Sequence, residues 1–293
     1  LVSVQRLSRY TDSIPVEKYK GTDDPSSSSW PTRGHIQAKN IRMRYREKLP
    51  EVLRDLTFEI QDGEKIGICG RTGSGKSSLF STLLRLVEPH AGRILIDGVD
   101  TSSVSLTRLR SSIALIPQDP VLFSGTIRRN LDPFEKYADQ DMSKALARVH
   151  LNNVKLDDIV KERGENFSVG ERQLLCFARV LLRTNCKIIL MDEATANVDS
   201  STDNALQEMI RGVFKTKTVI CIAHRLETIL GCDRIMVMDQ GRVVEFDTVQ
   251  ALSNLENGHF ASLRREMVCR RRKSSSSNDN SVSADGGDGM MCK

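Results

Sequence analysis

Lys65-Ile66-Gly67-Ile68-Cys69-Gly70-Arg71-Thr72-Gly73-Ser74-Gly75-Lys76-Ser77-Ser78 is the stretch on which the reading of this chain turns. Its first five residues form a short apolar run that predicts a buried strand. Residues 70–77 fit GxxxxGK[ST], and apolar side chains at helical spacing continue from Ser77 to Leu86. By composition alone the eight-residue pattern should arise in roughly one chain in a hundred of this length. A strand entering it and a helix leaving it make it specific, because phosphate binding requires both. Glycines let backbone N–H groups curl around a phosphate. The helix N-terminus adds a partial positive charge. Lys76 is then placed to neutralise β- and γ-phosphates, and the Ser77 hydroxyl to coordinate Mg²⁺. The competing reading, a glycine-rich turn without function, has no need of the flanking strand and helix.

Downstream, Ile188-Ile189-Leu190-Met191-Asp192-Glu193 is an apolar strand ending in two acids. Carboxylates at the end of a buried strand are unfavourable unless paired or metal-bound. With a phosphate loop upstream, Asp192 is expected near Mg²⁺ and Glu193 on an attacking water. Taken by itself, the pair could equally be a helix cap. A third apolar strand, Thr218 to Ala223, ends in His224. A lone histidine is usually incidental, and only its place after that strand suggests a γ-phosphate contact.

Between these motifs strands and helices alternate. Strands are expected at His35–Ala38, Leu56–Ile60, Lys65–Cys69, 93–97, 112–116, Lys187–Met191 and Thr218–Ala223, and helices around 139–149, 171–183 and Thr202–Val213. Such alternation predicts an α/β fold with a mainly parallel sheet covered on both faces. Residues 1–34 are polar and broken and read as a mostly flexible linker; residues 35–266 form the body. Residues 267–293, with Arg270-Arg271-Arg272-Lys273 before four serines, have almost nothing apolar to bury and read as a disordered basic, serine-rich tail.

The chain has 293 residues, enough to bury a core without disulfide or metal staples. Its 43 Lys and Arg against 38 Asp and Glu leave a net charge of +5, too mild to argue for nucleic acid. No apolar run approaches the ~18 residues of a membrane span, so these residues do not form a channel by themselves. The seven cysteines are odd in number, without a CxxC pair, and read as buried reduced thiols. The start at Leu1 suggests a piece of a longer protein.

Phe167-Ser168-Val169-Gly170-Glu171-Arg172-Gln173 precedes the acidic strand by about twenty residues and resembles the LSGGQ-like signature motif of ATP-binding cassette (ABC) proteins. The phosphate-loop, acidic-strand and histidine motifs follow that family's order. The phrases Gly67 to Lys76, Ile116-Pro117-Gln118-Asp119-Pro120-Val121-Leu122-Phe123-Ser124-Gly125 and Asp192-Glu193-Ala194-Thr195-Ala196 are most similar to the C-terminal, second nucleotide-binding domain of the multidrug-resistance-associated subfamily, subfamily C. Phe167 and Glu171 resemble its short branch.

The resemblance implies a P-loop NTPase core with an antiparallel β subdomain and an α-helical signature subdomain at about 119–185. It implies ATP and Mg²⁺ as cofactors. Gly70, Arg71, Thr72, Gly73, Ser74, Gly75, Lys76, Ser77 and Ser78 would hold the nucleotide, with Tyr45 stacked on adenine. Ser77, Gln118 and Asp192 would hold the metal. Gln118 would also reach the water and report to a transmembrane domain. Ser168 and Gly170 would grip the γ-phosphate of ATP on a partner cassette, and Asp199 would lie at the seam. Glu193 would be the general base and His224 would hold the γ-phosphate. The first domain of this subfamily often lacks the glutamate, so Glu193 supports a second-domain reading. Val2 to Thr11 resembles the end of a last transmembrane helix with the linker behind it.

Two departures stand out. Asn197 replaces the usual alanine of the seam motif, and the stretch from His150 to Ser168 is shorter than the family pattern by roughly one to two helical turns. The shortening bears on coupling and on the placement of Ser168, not on the phosphate loop.

The implied function is an ATPase that powers efflux of organic anions and conjugates from the cytoplasmic face of a membrane. It would act by ATP-dependent dimerisation with a second cassette, joined to transmembrane domains and without nucleic acid. Alternatives are a regulatory module gating a channel, which vesicle uptake of a labelled anion would separate, and a binding-only truncated variant. A soluble cassette of translation or DNA repair fits less well, since neither paired cassettes nor a long coiled-coil insert is present.

Overall fold

The computed structural model describes residues 2–13, 21, 24–25, 29–192, 208, 210, 212–223 and 225–267. In chain order, α1 (Val2–Ser13) is followed by β1 (Ile36–Met43), β2 (Leu53–Ile60), β3 (Lys65–Cys69), α2 (Lys76–Leu83), β4 (Ala91–Ile96) and β5 (Val99–Asp100). Then come α3 (Leu106–Ser112), β6 (Ile113–Ile116), β7 (Gly125–Thr126), α4 (Ile127–Leu131), α5 (Asp139–Arg148), β8 (Ile159–Val160) and α6 (Val169–Leu182). The rest comprises β9 (Ile188–Asp192), β10 (Thr218–Ile222), α7 (Leu226–Leu230), β11 (Arg234–Asp239), β12 (Arg242–Thr248), α8 (Val249–Ser253) and a last helix, α9, over 259–267. No described helix is long and apolar enough to cross a membrane.

The central sheet has six strands in the order β12-β11-β3-β10-β9-β6. Its strands run parallel except for β12, which pairs antiparallel with β11 at the edge. The continuous apolar runs have a direct cause. Alternate residues of each strand enter separate cores on the two faces. Ile66, Ile68, Leu190, Ile220, Ile222 and Met236 pack in one core with α2 and the second sheet. Cys69, Ile189, Met191, Val219, Cys221, Ile235 and Val237 pack in the other with α5 and α6. A period-2 chain buried on both faces has no polar side to show.

A second, antiparallel sheet has the order β2-β1-β4-β5. The expected strand 93–97 belongs here and not to the parallel sheet. The hairpin β11–β12 was not anticipated, although Gln240-Gly241 turns it with both residues at positive φ, 45° and 79°, the geometry of a tight hairpin turn. Of the expected helix Thr202–Val213, only residues 208, 210 and 212 are described as helical.

The packed body includes residues ahead of 35. Trp30 is buried and its Nε1 donates to the Ile96 carbonyl at 3.1 Å. Beyond it, Asp97 gathers the entering chain. Its Oδ2 accepts the N–H groups of Thr32 (2.7 Å) and Arg33 (2.9 Å), and its Oδ1 those of Gly34 (2.9 Å) and His35 (2.8 Å). Burial pushes this carboxyl up, but the four N–H groups outweigh burial and hold it below the ordinary carboxylate value. Asp97→Asn turns one amide NH₂ toward two of these donors. It is expected to lower stability by about 1–2 kcal/mol, allowing for solvent screening. Because the folded pKa is depressed, the contribution is complete above the unfolded value near 4 and lost as pH falls through the folded one. Urea unfolding at about pH 7 and about pH 3 should therefore show the deficit shrinking in acid; a deficit unchanged between the two would overturn this account.

Candidate nucleotide site

The phosphate loop leaves the C-terminal end of β3 at the middle of the parallel sheet and enters α2 through Gly75. Gly70 adopts φ 153°, and a Cβ there would lie 2.2 Å from the Met238 carbonyl oxygen; only glycine fits. At Gly73 a Cβ would meet nothing within 4 Å, so this part of the loop faces open space. Lys76 is buried, and its Nζ donates to the carbonyls of Gly70 (2.8 Å) and Arg71 (3.0 Å). Among the described residues the buried Ser74 Oγ has no hydrogen-bond partner. Ser77 and Thr72 are exposed, and Ser78 is buried beneath them. Behind the loop, burial pushes the Cys69 thiol up to about 12, so it is a packing residue and not a nucleophile. Among the described residues Cys69, Cys176, Cys186, Cys221 and Cys232 carry no disulfide, and all but Cys232 are buried.

Tyr45, just past β1, stands half-exposed with its hydroxyl 2.9 Å from the Ser78 Oγ. An aromatic ring and the phosphate-loop helix, 33 residues apart in sequence, are thus joined. Asp192 ends β9, two strand positions from β3 and level with Ile222 of β10. Gln118 is exposed just after β6. Glu193, His224, Asn197 and Asp199 lie outside the described residues. The open glycine cradle, the uncommitted Ser74 hydroxyl, the Lys76 ammonium and the helix N-terminus fit a polyphosphate. Ser77, Gln118 and Asp192 offer hard oxygen donors of the kind Mg²⁺ takes.

Ser168 and Gly170 lie elsewhere, at the start of α6. Ser168 is the helix cap: its Oγ accepts the Glu171 N–H at 3.2 Å, and Glu171 Oε2 accepts the Ser168 N–H at 2.8 Å. Glu171 therefore completes a capping box and places a negative charge at the helix N-terminus. The connection ahead of it is tied back to α4. Ile127 N–H donates to Asp158 and Arg128 N–H to Leu156, and the Arg128 guanidinium bridges Asp139 and Asp157. β7 pairs with β8 alongside. α6 packs against β6, three strand positions, roughly 14 Å, from β3.

Several supporting residues were not singled out in the sequence. Gly241, in the hairpin turn, donates its N–H to the Ser74 carbonyl at 3.0 Å, and a Cβ there would lie 2.1 Å from the Val52 oxygen. The Gln-Gly pair between two apolar stretches was its available signal. Gln173, buried in α6, donates to the Pro117 carbonyl at 3.3 Å, next to Gln118. Arg179 donates to the carbonyls of Asn130 (2.7 Å) and Val121 (3.0 Å) and to Asn130 Oδ1 (2.9 Å), locking the loop after Gln118 onto α6. Burial pulls the Arg179 guanidinium below its ordinary value. Gln173 closes the signature-like stretch, but nothing local in the sequence marks its bond to Pro117 or the contacts of Arg179.

A parallel sheet with this loop at its centre and an aromatic ring beside it defines a P-loop nucleotide-binding domain. Residues 53–196 match the ABC transporter family, and the chain has the ABC ATPase domain fold. It is 49% identical over 271 residues to ATP-binding cassette sub-family C member 10 of Mus musculus, covering 90% of this chain and 18% of that protein. It is 47% identical over 269 residues to multidrug resistance protein mrp-7 of Caenorhabditis elegans, covering 90% and 18%. The chain thus spans about a fifth of the length of these relatives. A solved bacterial Atm1-family ABC exporter with ATP bound superposes with a TM-score of 0.82 at 31% identity, covering 91% of this chain and 47% of that one.

Proposed function

We propose that this chain is the second, hydrolysis-competent nucleotide-binding domain of a subfamily C exporter. Residues 35–266 are the body of the cassette, joined by the entering segment from Trp30, with the helical subdomain at about 119–185; the residues before Trp30 would link it to a transmembrane domain. The observation that carries the reading is the separation of two half-sites on one chain. The phosphate loop opens at the centre of the sheet, and the capped start of α6 stands about three strands away. A second cassette turned to face the first brings Ser168 and Gly170 to the γ-phosphate held by Lys76.

In that sandwich Tyr45 stacks on adenine, and Gly70 to Ser78 hold the phosphates. Ser77, Gln118 and Asp192 would hold Mg²⁺, which would supply charge neutralisation for the phosphates. Glu193 takes a proton from water, the water oxygen bonds to the γ-phosphorus, and the bond to the ADP oxygen breaks, leaving phosphate and ADP. His224 holds the γ-phosphate during transfer. ATP joins the two cassettes and product release lets them part. The transmembrane domains use that two-state interface for efflux of organic anions and conjugates, with the cassettes on the cytoplasmic face.

The test is the order of hydrolysis in protein. The purified chain with Mg-ATP should show a specific activity that rises with protein concentration, because each site needs two chains. An activity per molecule constant across a wide dilution would sink the composite site.

A further inference from the structure

The phosphate loop has a second neighbour. α9 runs past it, held at its start by Glu245 of β12, whose Oε1 accepts the His259 N–H at 2.6 Å and whose Oε2 accepts the Phe260 N–H at 2.9 Å. Phe260 and Ala261 are buried, so the first turn is anchored. At the other end, Glu266 Oε1 lies 3.2 Å from an Arg71 guanidinium nitrogen. Arg71 is the second residue of the phosphate loop, and its own carbonyl accepts the Lys76 ammonium. Arg71, Asp239, His259 and Ser262 line the cleft between loop and helix.

From this geometry we propose that α9 is a latch on the phosphate loop. Glu266 holds the Arg71 charge away from the nucleotide, and ATP binding opens the latch. This rests on the nucleotide-site reading above and adds a control to it. Two effects of Glu266 oppose ATP: it occupies a cation beside the loop, and it places a carboxylate near an anionic ligand. One effect favours ATP, the tethering of the loop. The tether is weak, because both side chains are largely solvent-exposed, 70% for Arg71 and 42% for Glu266, and such pairs contribute little. The electrostatic opposition therefore wins. The same weakness lets a phosphate oxygen displace the carboxylate. By linkage, whatever weakens the latch strengthens ATP binding, and ATP must weaken the latch by the same factor.

The test uses the full 293-residue chain and Mg-ATP titration calorimetry. Glu266→Gln should bind ATP about two- to fivefold more tightly, the span of an exposed ion pair. Arg71→Gln should bind more weakly, and adding Glu266→Gln to it should give a clearly smaller gain than in the unaltered chain, because only the direct carboxylate–phosphate repulsion is left to remove. An equal gain in the Arg71→Gln background would mean plain charge repulsion and overturn the latch, as would no gain in Glu266→Gln. Hydrogen exchange on the unaltered chain gives an independent reading: amides 264–267 should exchange faster with ATP while those of the anchored first turn do not. Unchanged exchange at 264–267 with ATP bound overturns the proposal. A parent chain that binds no ATP at all overturns the nucleotide-site reading itself, a different failure from ATP binding that ignores Glu266.

Discussion

Lys76→Ala is expected to weaken Mg-ATP binding by at least about a hundredfold while leaving the fold intact. Removing one partner from a desolvated, hydrogen-bonded charge contact forfeits about 2–5 kcal/mol, which is a factor of roughly thirty to several thousand in affinity. Lys76 sits at the favourable end of that range. It is 7% exposed, so the charge it would present to phosphate is poorly screened. Its stem is fixed at the first position of α2, and its ammonium is already aimed along the loop by the Gly70 and Arg71 carbonyls. The glycine N–H groups and the helix N-terminus remain in the variant, so binding should fall steeply and not vanish. Calorimetry with Mg-ATP measures the loss, and an unchanged far-ultraviolet circular dichroism spectrum and melting temperature show that it is not unfolding. A loss below about threefold, less than a single exposed ion pair can give, would mean that the polyphosphate does not lie in this loop.

How much of this was legible in the sequence varies with how local the determinant is. Gly70 to Ser77 could be read because every part of a phosphate loop is contiguous: strand, glycines, lysine and helix occupy one short stretch. The parallel sheet was legible for a related reason. Burial on both faces leaves an uninterrupted apolar run at Ile188 to Met191 and again at Val219 to Ile222. Ser168 and Glu171 were legible as a motif, but their mutual hydrogen bonds appear only in three dimensions.

What was not legible depends on chain segments far apart. Arg93 to Asp97 has the composition of any half-buried strand. Its sheet is decided by antiparallel pairing with β1, some fifty residues upstream. Gly241 supports Ser74 from more than 160 positions away. Arg179 reaches Asn130 across 49 residues, and its helix pattern alone marks it as a surface arginine. Glu266 reads as one more charge near a basic tail, and only its distance to Arg71 gives it a role. Single-residue chemistry and short periodicities are written along the chain, whereas pairing across elements is set by packing that no local window contains.

Glu193→Gln is expected to lower the hydrolysis rate by about a hundred- to ten-thousandfold, the span of a positioned general base. The substitution keeps shape and hydrogen-bonding capacity but cannot take the proton from the attacking water. Because the residue is assigned to the reaction and not to the phosphates, ATP affinity should stay within a few-fold of the parent chain, in contrast to Lys76→Ala. The combination has a structural consequence. If two chains close around ATP and part only after hydrolysis, a variant that binds but does not hydrolyse accumulates in the closed form. Light scattering should then show a Glu193→Gln dimer with Mg-ATP that dissociates when ATP is removed, and the Lys76→Ala chain should give none. The short connection before Ser168 is probed by the same sample, because the dimer forms only if the capped start of α6 meets the opposite phosphate loop. Hydrolysis by Glu193→Gln within about tenfold of the parent would remove Glu193 from the role of base. Slow hydrolysis without any ATP-dependent dimer would instead assign the chain to nucleotide binding alone, with its signature face unable to complete a partner's site.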